Sequence, residues 1–243
     1  DEVLLNLVQR DAKYVNKWTK ACALNELLGS KRDSDDYQDL LMAQALNPNR
    51  VISEVALIGL RDFYADFLKK ELTRFDKNAK YLYVKNGLEK IEVVERKFKD
   101  FVIPIIQFEI VKFLENNSIF KGMSGLTLCE IAQTIEIQLF QEDDIVAEYD
   151  SIDQMDYFII YQGSVEKWER ETQMELVKPF DFVSSLFKDY SNETKVKLLS
   201  KETSLMFKIK RELFNELLSF HEQIPITILK NHDKIERTIN MYA

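Results

Sequence analysis

The sequence has few of the residues that interrupt regular structure, since its 243 residues include only 6 glycines and 4 prolines. Such a composition argues against a disordered or loop-rich chain, and its length corresponds to one large domain or two smaller ones.

Long apolar runs are missing too. The longest, "FVIPII" at 101–106, is far shorter than the roughly 20 residues of a membrane span. We expect no membrane segment or signal peptide within this chain. Because it begins with Asp1, a longer protein with a membrane region upstream stays possible.

Cysteine and histidine are also scarce, which removes most metal and redox chemistry. The two cysteines, Cys22 and Cys129, lie far apart and form no CxxC pattern. We interpret them as buried thiols of a protein from a reducing compartment and expect a cytoplasmic location. The only histidines, His221 and His232, lie outside any HExxH-like spacing. We therefore expect no metal site and no cofactor.

An excess of positive charge is absent, because the formal net charge is -8 and the pI is near 5.1. Acidic surfaces repel phosphate backbones, so nucleic acid is not an expected partner.

Catalytic patterns are missing as well, since no P-loop and no GxGxxG segment occurs. We interpret the acidic clusters, Glu169 and Glu171 among them, as solvated turns or exposed strand ends. The chain is predicted not to be an enzyme.

From Asp1 to about Leu114, apolar residues recur at helical spacing. Two segments, "DAKYVNKWTKACALNEL" and "NPNRVISEVALIGL", resemble the second helix of a HEAT repeat and follow each other at roughly 36 residues. Asp11 and Asn47 are predicted as helix N-caps, with Pro48 in the first turn. The resemblance covers residues 1–75 and implies an α-solenoid, whose surfaces bind proteins. A generic helical bundle is the alternative.

The segment that follows, residues 79–117, is predicted to be a linker region of further helix. We expect a turn at Asn86-Gly87 and a break or kink at Pro104. The predicted domains are an all-α HEAT-like domain with its linker helices at 1–112 and a second domain at 113–243.

Near residue 134 the period changes from helical to alternating, which predicts about eight short strands. "DYFIIYQGSVEKWER" predicts two strands that are bent at Gln162-Gly163, and strands of this length and spacing favour a jelly roll or a small barrel. Helix is expected again from Arg211 to the last residue. The alternation predicts five apolar side chains to point inward: Ile135, Ile137, Leu139, Val196 and Leu198.

This order of helix, short strands and helix resembles the cyclic nucleotide-binding domain family of catabolite-activator-like regulators and kinase regulatory subunits. The resemblance spans about residues 110–240. "SIFKGMS" matches the family's first helix, and "DYFIIYQGSVEKW" matches its most recognisable hairpin, with Gly163 at the turn. "LFNELLSFHEQIPITIL" matches its closing helices. The resemblance implies a double-stranded β-roll (jelly roll) flanked by helices, and hence an α+β multidomain chain.

The family binds its ligand with a phosphate cassette, in which glycines let the backbone approach, a glutamate binds the ribose and an arginine binds the phosphate. The matching stretch here is "PFDFVSSL". It places Phe180 at the first glycine, Ser184 at the second and Ser185 at the glutamate, and Glu193 falls near the arginine. The resemblance gives a degenerate cassette with these candidate ligand-binding positions: Phe182, Ser184, Ser185, Glu193 and Thr194.

Replacement cations in the cassette region are few: Lys188, Lys195 and Lys197. Lys195 and Lys197 alternate with apolar residues and are expected to face solvent, although a shifted register would turn Lys195 inward. The resemblance therefore predicts that cyclic AMP and cyclic GMP are not bound. The serines at 184 and 185 leave another small molecule possible.

These features predict a non-enzymatic regulatory or protein-interaction module, whose partner is another protein or domain. Two alternatives stay open. One is a working sensor of cyclic nucleotides or of another small ligand. The other is a soluble tail of a larger bacterial membrane protein, such as a nucleotide carrier.

Overall fold

The computed structural model describes residues 2–10, 14–29, 35–74, 79–151, 154–169, 171–183 and 195–242. The chain divides into two compact units, of which the first ends at Phe113 and the second begins at Leu114. The described part of the first unit is helical, and the second combines helices with two antiparallel sheets. The chain is therefore a mixed helix and sheet protein.

In the N-terminal unit, helix α4 (Arg50–Phe63) packs against α2 (Lys17–Gly29) and α3 (Asp35–Ala45). Every residue from Val51 to Leu57 is buried. Ala21 and Ala23, the small residues of α2, are buried as well. A HEAT-like repeat remains a hypothesis for this unit. The described helices are α1 Glu2–Gln9, α2 Lys17–Gly29, α3 Asp35–Ala45, α4 Arg50–Phe63, α5 Ala65–Arg74, α6 Ala79–Lys97 and α7 Gln107–Asn116. The last of them, α7, begins in the first unit and ends in the second.

The first turns of α2 and α4 begin later than the sequence predicts. Asn16 accepts a hydrogen bond from the Thr19 N–H at 2.9 Å and caps α2, whereas Asp11 lies outside the described residues. Asn47 and Pro48 precede α4, which begins at Arg50. The Asn47 side chain accepts a hydrogen bond from the Asn49 N–H at 2.9 Å, so it stabilises a local turn instead of the helix.

The turn predicted at Asn86-Gly87 is wrong, because α6 continues through both residues. A Cβ atom at Gly87 would lie 2.7 Å from Cδ1 of Leu57 on α4, so the glycine permits the two helices to approach closely. The break near Pro104 is confirmed, since residues 98–106 are not helical.

The strands of the C-terminal unit are β1 Ile135–Phe140, β2 Ile145–Tyr149, β3 Tyr157–Gln162, β4 Val165–Glu169, β5 Thr172–Val177, β6 Phe182–Val183, β7 Val196–Ser200 and β8 Ser204–Ile209. They form two four-stranded antiparallel sheets, ordered β1-β8-β3-β6 and β2-β7-β4-β5. This order is that of a jelly roll of eight strands, so the expected β-roll is confirmed. The flanking helices are a 3-10 turn Ser118–Phe120, α8 Gly125–Gln133, α9 Arg211–Phe220 and α10 Gln223–Tyr242.

Apolar side chains from both sheets fill the interior of the roll. The buried members of this interior cluster are Met155, Phe158, Ile160, Val165, Val177, Val183, Val196, Leu198 and Met206. The inward positions predicted for Val196 and Leu198 are therefore confirmed.

The inward positions predicted for Ile135, Ile137 and Leu139 are wrong. Ile137 lies opposite Phe207 in the ladder between β1 and β8, and the neighbouring Met206 is the β8 residue that reaches the interior cluster. Alternation therefore turns the three β1 side chains to the other face of the sheet. Strand β8 buries apolar residues on both faces, with Phe207 on one and Met206 on the other, so an apolar residue does not by itself mark the interior side.

The hairpin between β3 and β4 turns at Gly163, as predicted. Its φ is 88°, in the left-handed region that favours glycine. A Cβ atom there would lie 2.7 Å from the Cα of Ser204. The close approach fixes β8 beside the turn.

Candidate ligand site of the β-roll

The first turn of the cassette precedes β6 and is held by its own hydrogen bonds. Asp181 accepts a hydrogen bond from the Lys178 N–H through Oδ2 at 2.8 Å, and its own N–H donates to the Lys178 carbonyl at 3.0 Å. Burial raises the pKa of Asp181 above its ordinary value. Phe180, inside this turn, has a φ of 72°. The backbone is thus left-handed at the position where the resemblance expects glycine.

The polar backbone groups of Phe180 both have partners. Its N–H donates to the Ile160 carbonyl at 2.8 Å, and its carbonyl accepts from Nδ2 of Asn117 at 2.8 Å. Asn117 is fully buried and also accepts a hydrogen bond from the Ile119 N–H at 3.0 Å. Asn117 therefore connects the cassette turn to the 3-10 turn that precedes the roll. In the sequence, its place before "SIF" indicates only a helix cap.

Phe182 is the one candidate ligand-binding residue within the described ranges, and it lies on the helix side of its sheet. Its ring stacks on Tyr157 at 5.9 Å and meets Phe120 and Phe214 edge-on at 5.6 and 6.2 Å. The next residue, Val183, belongs to the interior cluster instead. Phe182 thus joins the cassette strand to the 3-10 turn and to α9.

The other candidates, Ser184, Ser185, Glu193 and Thr194, lie outside the described residues, as does Lys188. Lys195 is exposed and pairs with Asp150 at 3.3 Å. Lys197 occupies the alternate face from the buried Val196 and Leu198. The outward orientation predicted for Lys195 and Lys197 is therefore confirmed.

A buried cation that the sequence patterns did not indicate lies inside the roll. Lys167 on β4 is 3% exposed, and its Nζ lies 3.1 Å from Oε1 of Glu169. Lys167 is opposite Leu198 on β7, and Glu169 is opposite Val196. Since directly opposed residues share a face of the sheet, both charged side chains point toward the interior cluster. The interpretation of Glu169 as an exposed strand end is wrong.

The sequence does contain a signal that Lys167 is buried. Val165 follows the Gly163 turn and points inward, so the period of two places Lys167 and Glu169 on the same face. Trp168 between them would be the natural choice for a buried residue. Its indole N–H instead donates to Oε2 of Glu166 at 3.2 Å on the outer face.

A second polar group of the roll centres on Asp156, which precedes β3. Asp156 accepts hydrogen bonds from Lys208 at 2.8 Å, from the Arg211 N–H at 2.9 Å and from the Tyr149 hydroxyl at 3.2 Å. Burial acts to raise the pKa of Asp156, but the bonds from Lys208 and Arg211 outweigh it and lower the pKa. Burial, together with the carboxylate of Asp156, raises the pKa of Tyr149 to about 12. The group connects β2 and β8 to the first turn of α9.

The described residues contain no group of three or more histidine, cysteine, aspartate or glutamate side chains placed to hold a metal ion. His221 ends α9, and its Nε2 lies 2.9 Å from Oε2 of Glu130 on α8. Within the described ranges, no helix is both long and apolar enough to cross a bilayer.

No protein-family model and no curated protein matches the chain. Solved structures of cyclic nucleotide-binding domains are similar to it. The sensor domain of the transcriptional regulator DNR from Pseudomonas aeruginosa is 13% identical with a TM-score of 0.43, over 51% of this chain and 91% of that one. The N-terminal domain of a transcriptional regulator from Streptomyces coelicolor A3(2) is 15% identical with a TM-score of 0.39, over 54% and 94%.

A third similar structure is the regulatory subunit of a cAMP-independent protein kinase A from Trypanosoma cruzi, bound to guanosine. It is 17% identical with a TM-score of 0.43, and the match covers 56% of this chain and 51% of that one. This chain spans 60% of the longer DNR structure. The fold of the C-terminal unit is assigned from its strand order, and what each of these proteins binds is a property of that protein.

Proposed function

We propose that this chain is a non-catalytic regulatory module of a reducing compartment. In this proposal its β-roll is of the cyclic nucleotide-binding type, carries a degenerate cassette, and acts on another protein or domain. The observation that carries the proposal is the backbone of Phe180, which is left-handed at the position where the cassette needs glycine. Its N–H donates to the Ile160 carbonyl and its carbonyl accepts from Asn117, so neither group is available to a phosphate.

The cassette sequence supports the same conclusion. A phosphate site of this type needs glycine for close backbone approach and an arginine for the charge. Phe180 has a glycine-like backbone but carries a ring, and no arginine occurs between Arg170 and Arg211. Losing the partner of a buried charge costs roughly 2–5 kcal/mol, so cyclic AMP and cyclic GMP are expected to bind negligibly.

The aromatic contacts of Phe182 support a regulatory role. The ring lies against Tyr157 and against Phe214 of α9, and the Tyr157 hydroxyl donates to Oδ1 of Asn215 at 3.0 Å. A change in the cassette strand therefore acts directly on the packing of α9. This contact gives the roll a physical route to the closing helices.

Isothermal titration calorimetry of the full chain with cyclic AMP and with cyclic GMP tests the proposal. We expect no measurable heat of binding at micromolar ligand. A dissociation constant below about 10 μM for either nucleotide contradicts the proposal.

A repair experiment tests the account of the cassette. Glu193→Arg alone should leave binding negligible. The triple change Ser184→Gly, Ser185→Glu and Glu193→Arg should restore weak affinity, because each charged hydrogen bond contributes roughly 1.5–3 kcal/mol.

A further inference from the structure

A groove of about 540 Å³ lies between α5 and α6 in the N-terminal unit. We call it the α5–α6 groove and define it by the four leucines of its lining, Leu68 and Leu72 on α5 and Leu82 and Leu88 on α6. Leu68 and Leu88 are buried and form the floor, whereas Leu82 is 44% exposed. Apolar side chains that are grouped in a concave place and open to solvent are typical of an interaction site.

The lining residues recur every three or four positions along both helices, as in Ala65, Leu68 and Leu72 on α5. Each helix therefore contributes one stripe to the groove. At a rise of 1.5 Å per residue, the stripes over 65–73 and 81–92 are about 12 and 16 Å long, or two to three helical turns. A groove of this shape between two helices accepts the apolar face of a third, amphipathic helix.

The same geometry argues against other occupants. Backbone N–H and C=O groups inside α5 and α6 are bonded within their own helices, so an extended peptide would find no partners for its backbone, whereas a helix brings its own. A flat bilayer surface does not reach Leu68 and Leu88 at the floor of the groove, because both are buried. The shape of the groove therefore favours a helix.

The charges of the groove favour an acidic helix. Lys69 and Lys85 line it and are exposed, and neither ammonium group makes a hydrogen bond or an ion pair with a described residue. Arg61, a third cation of the lining, is already paired with two carboxylates, and Glu92 is the acidic member of the lining. Together α5 and α6 contain eight lysines and arginines against five acidic residues, in a chain whose net charge is -8.

We propose that the α5–α6 groove is the docking surface for an amphipathic helix of a partner protein, and that this helix carries acidic side chains beside its apolar stripe. Its apolar face lies on the four leucines, and its carboxylates pair with Lys69 and Lys85 at the rim. This inference deepens the proposed function and rests on it for the role of the partner, while the docking itself is tested without a nucleotide.

The experiment uses the full chain and a labelled synthetic helix of about 14 residues, with leucine at every third and fourth position and glutamate elsewhere. A matched helix has lysine in place of glutamate. Fluorescence anisotropy measures both affinities at constant ionic strength. We expect a dissociation constant of about 10 μM for the glutamate helix and roughly tenfold weaker binding of the lysine helix.

Two pairs of variants locate the binding. Lys85→Glu should weaken the glutamate helix roughly tenfold and strengthen the lysine helix, whereas Lys90→Glu, at an exposed lysine of α6 outside the lining, should do neither. Leu82→Ala should weaken the glutamate helix several-fold. Val93→Ala is its control, because Val93 is exposed on the same helix and lies outside the lining.

The proposal is overturned if the glutamate helix does not bind, if it binds no more tightly than the lysine helix, or if Lys85→Glu and Lys90→Glu have equal effects. Hydrogen exchange of the unmodified protein decides without any variant, since added glutamate helix should increase protection in α5 and α6, and protection confined to other segments rejects the docking. Tighter binding to vesicles of anionic phospholipid, lost in Lys85→Glu, would assign the groove to a membrane surface instead. Failure of the proposed function has a different signature, which is tight binding of a cyclic nucleotide.

Discussion

The two ends of the β-roll are held together by different chemistry. At the hairpin end, formed by Gly163, Ser164 and Ser204, the Ser204 hydroxyl lies 3.2 Å from the Ser164 N–H and 3.1 Å from its carbonyl. At the opposite end, where Asp156 precedes β3, the contacts are ion pairs, with Lys208 on Asp156 at 2.8 Å and Lys167 on Glu169 at 3.1 Å. The bonds between Ser164 and Ser204 are neutral, although the Ser164 hydroxyl also donates to Oε1 of Glu202 at 2.7 Å, whereas the contacts at the Asp156 end are ionic.

This difference separates the contacts that keep the roll folded from the contacts that respond to solution conditions. Neutral bonds in a tight turn depend on shape and are indifferent to pH and to dissolved ions. Ionic bonds change with protonation and with competing anions. We therefore expect substitution of Gly163 at the hairpin end to affect folding alone, and substitutions at the Asp156 end to make stability depend on solution conditions.

The largest effect is expected at the hairpin turn. Gly163→Ala places a Cβ atom 2.7 Å from the Cα of Ser204, at a φ of 88°, and should lower the free energy of unfolding by about 3 kcal/mol. Gly122→Ala is the matched control, because Gly122 has a φ of 90° and no heavy atom within 4 Å of the added Cβ. It should cost only about 1 kcal/mol. Urea denaturation measures both, and equal losses contradict the steric explanation.

A smaller loss is expected where the cassette turn is attached to the 3-10 turn. Asn117→Ala leaves the Phe180 carbonyl and the Ile119 N–H without their present partner, which should cost about 2 kcal/mol. The exposed neighbour Ser118 provides the control, since Ser118→Ala should change the unfolding free energy by less than about 0.5 kcal/mol. A loss at Asn117 no larger than that at Ser118 shows that the bond to Phe180 does not hold the cassette.

The pH dependence of the Asp156 end follows from the pKa of the Asp156 carboxyl group. Its pKa is lowered in the folded protein, so its stabilising contribution is present above the ordinary aspartate pKa, about 3.9, and disappears as pH falls through the folded pKa. Asp156→Asn should flatten the loss of melting temperature below about pH 4. Asp150→Asn, at a side chain that is 85% exposed, should leave the loss of melting temperature at low pH unchanged. If Asp156→Asn and the unmodified protein lose melting temperature identically below about pH 4, Asp156 is not the group responsible.

The smallest effect is expected from relief of strain in the cassette turn. Phe180→Gly removes the Cβ atom at a φ of 72° and should stabilise the protein relative to Phe180→Ala by about 1 kcal/mol. Both variants lose the same ring, so the difference between their unfolding free energies measures the backbone strain at position 180. If the alanine variant is as stable as the glycine variant, the left-handed turn is not strained.

Local patterns in the sequence predicted much of the second unit. Gly163 marked the hairpin because a tight turn with positive φ favours glycine, and the alternation of Val196 and Leu198 with lysines predicted the buried face of β7. The two-residue strand β6 was missed, since Phe182 and Val183 are too few to show a period. Asn86-Gly87 was interpreted as a turn because the contact of Gly87 with Leu57 connects residues far apart in sequence.

The sequence by itself determined the order of helices and strands and the position of the hairpin, because each of these follows from residues that are neighbours along the chain. Only the tertiary structure decided which face each side chain occupies. Pairing with β8 turned Ile137 away from the interior, and pairing of β4 with β7 turned Lys167 into it. The physical reason is that strand register is set by contacts between distant segments, and in a two-residue alternation the register decides which side chains are buried.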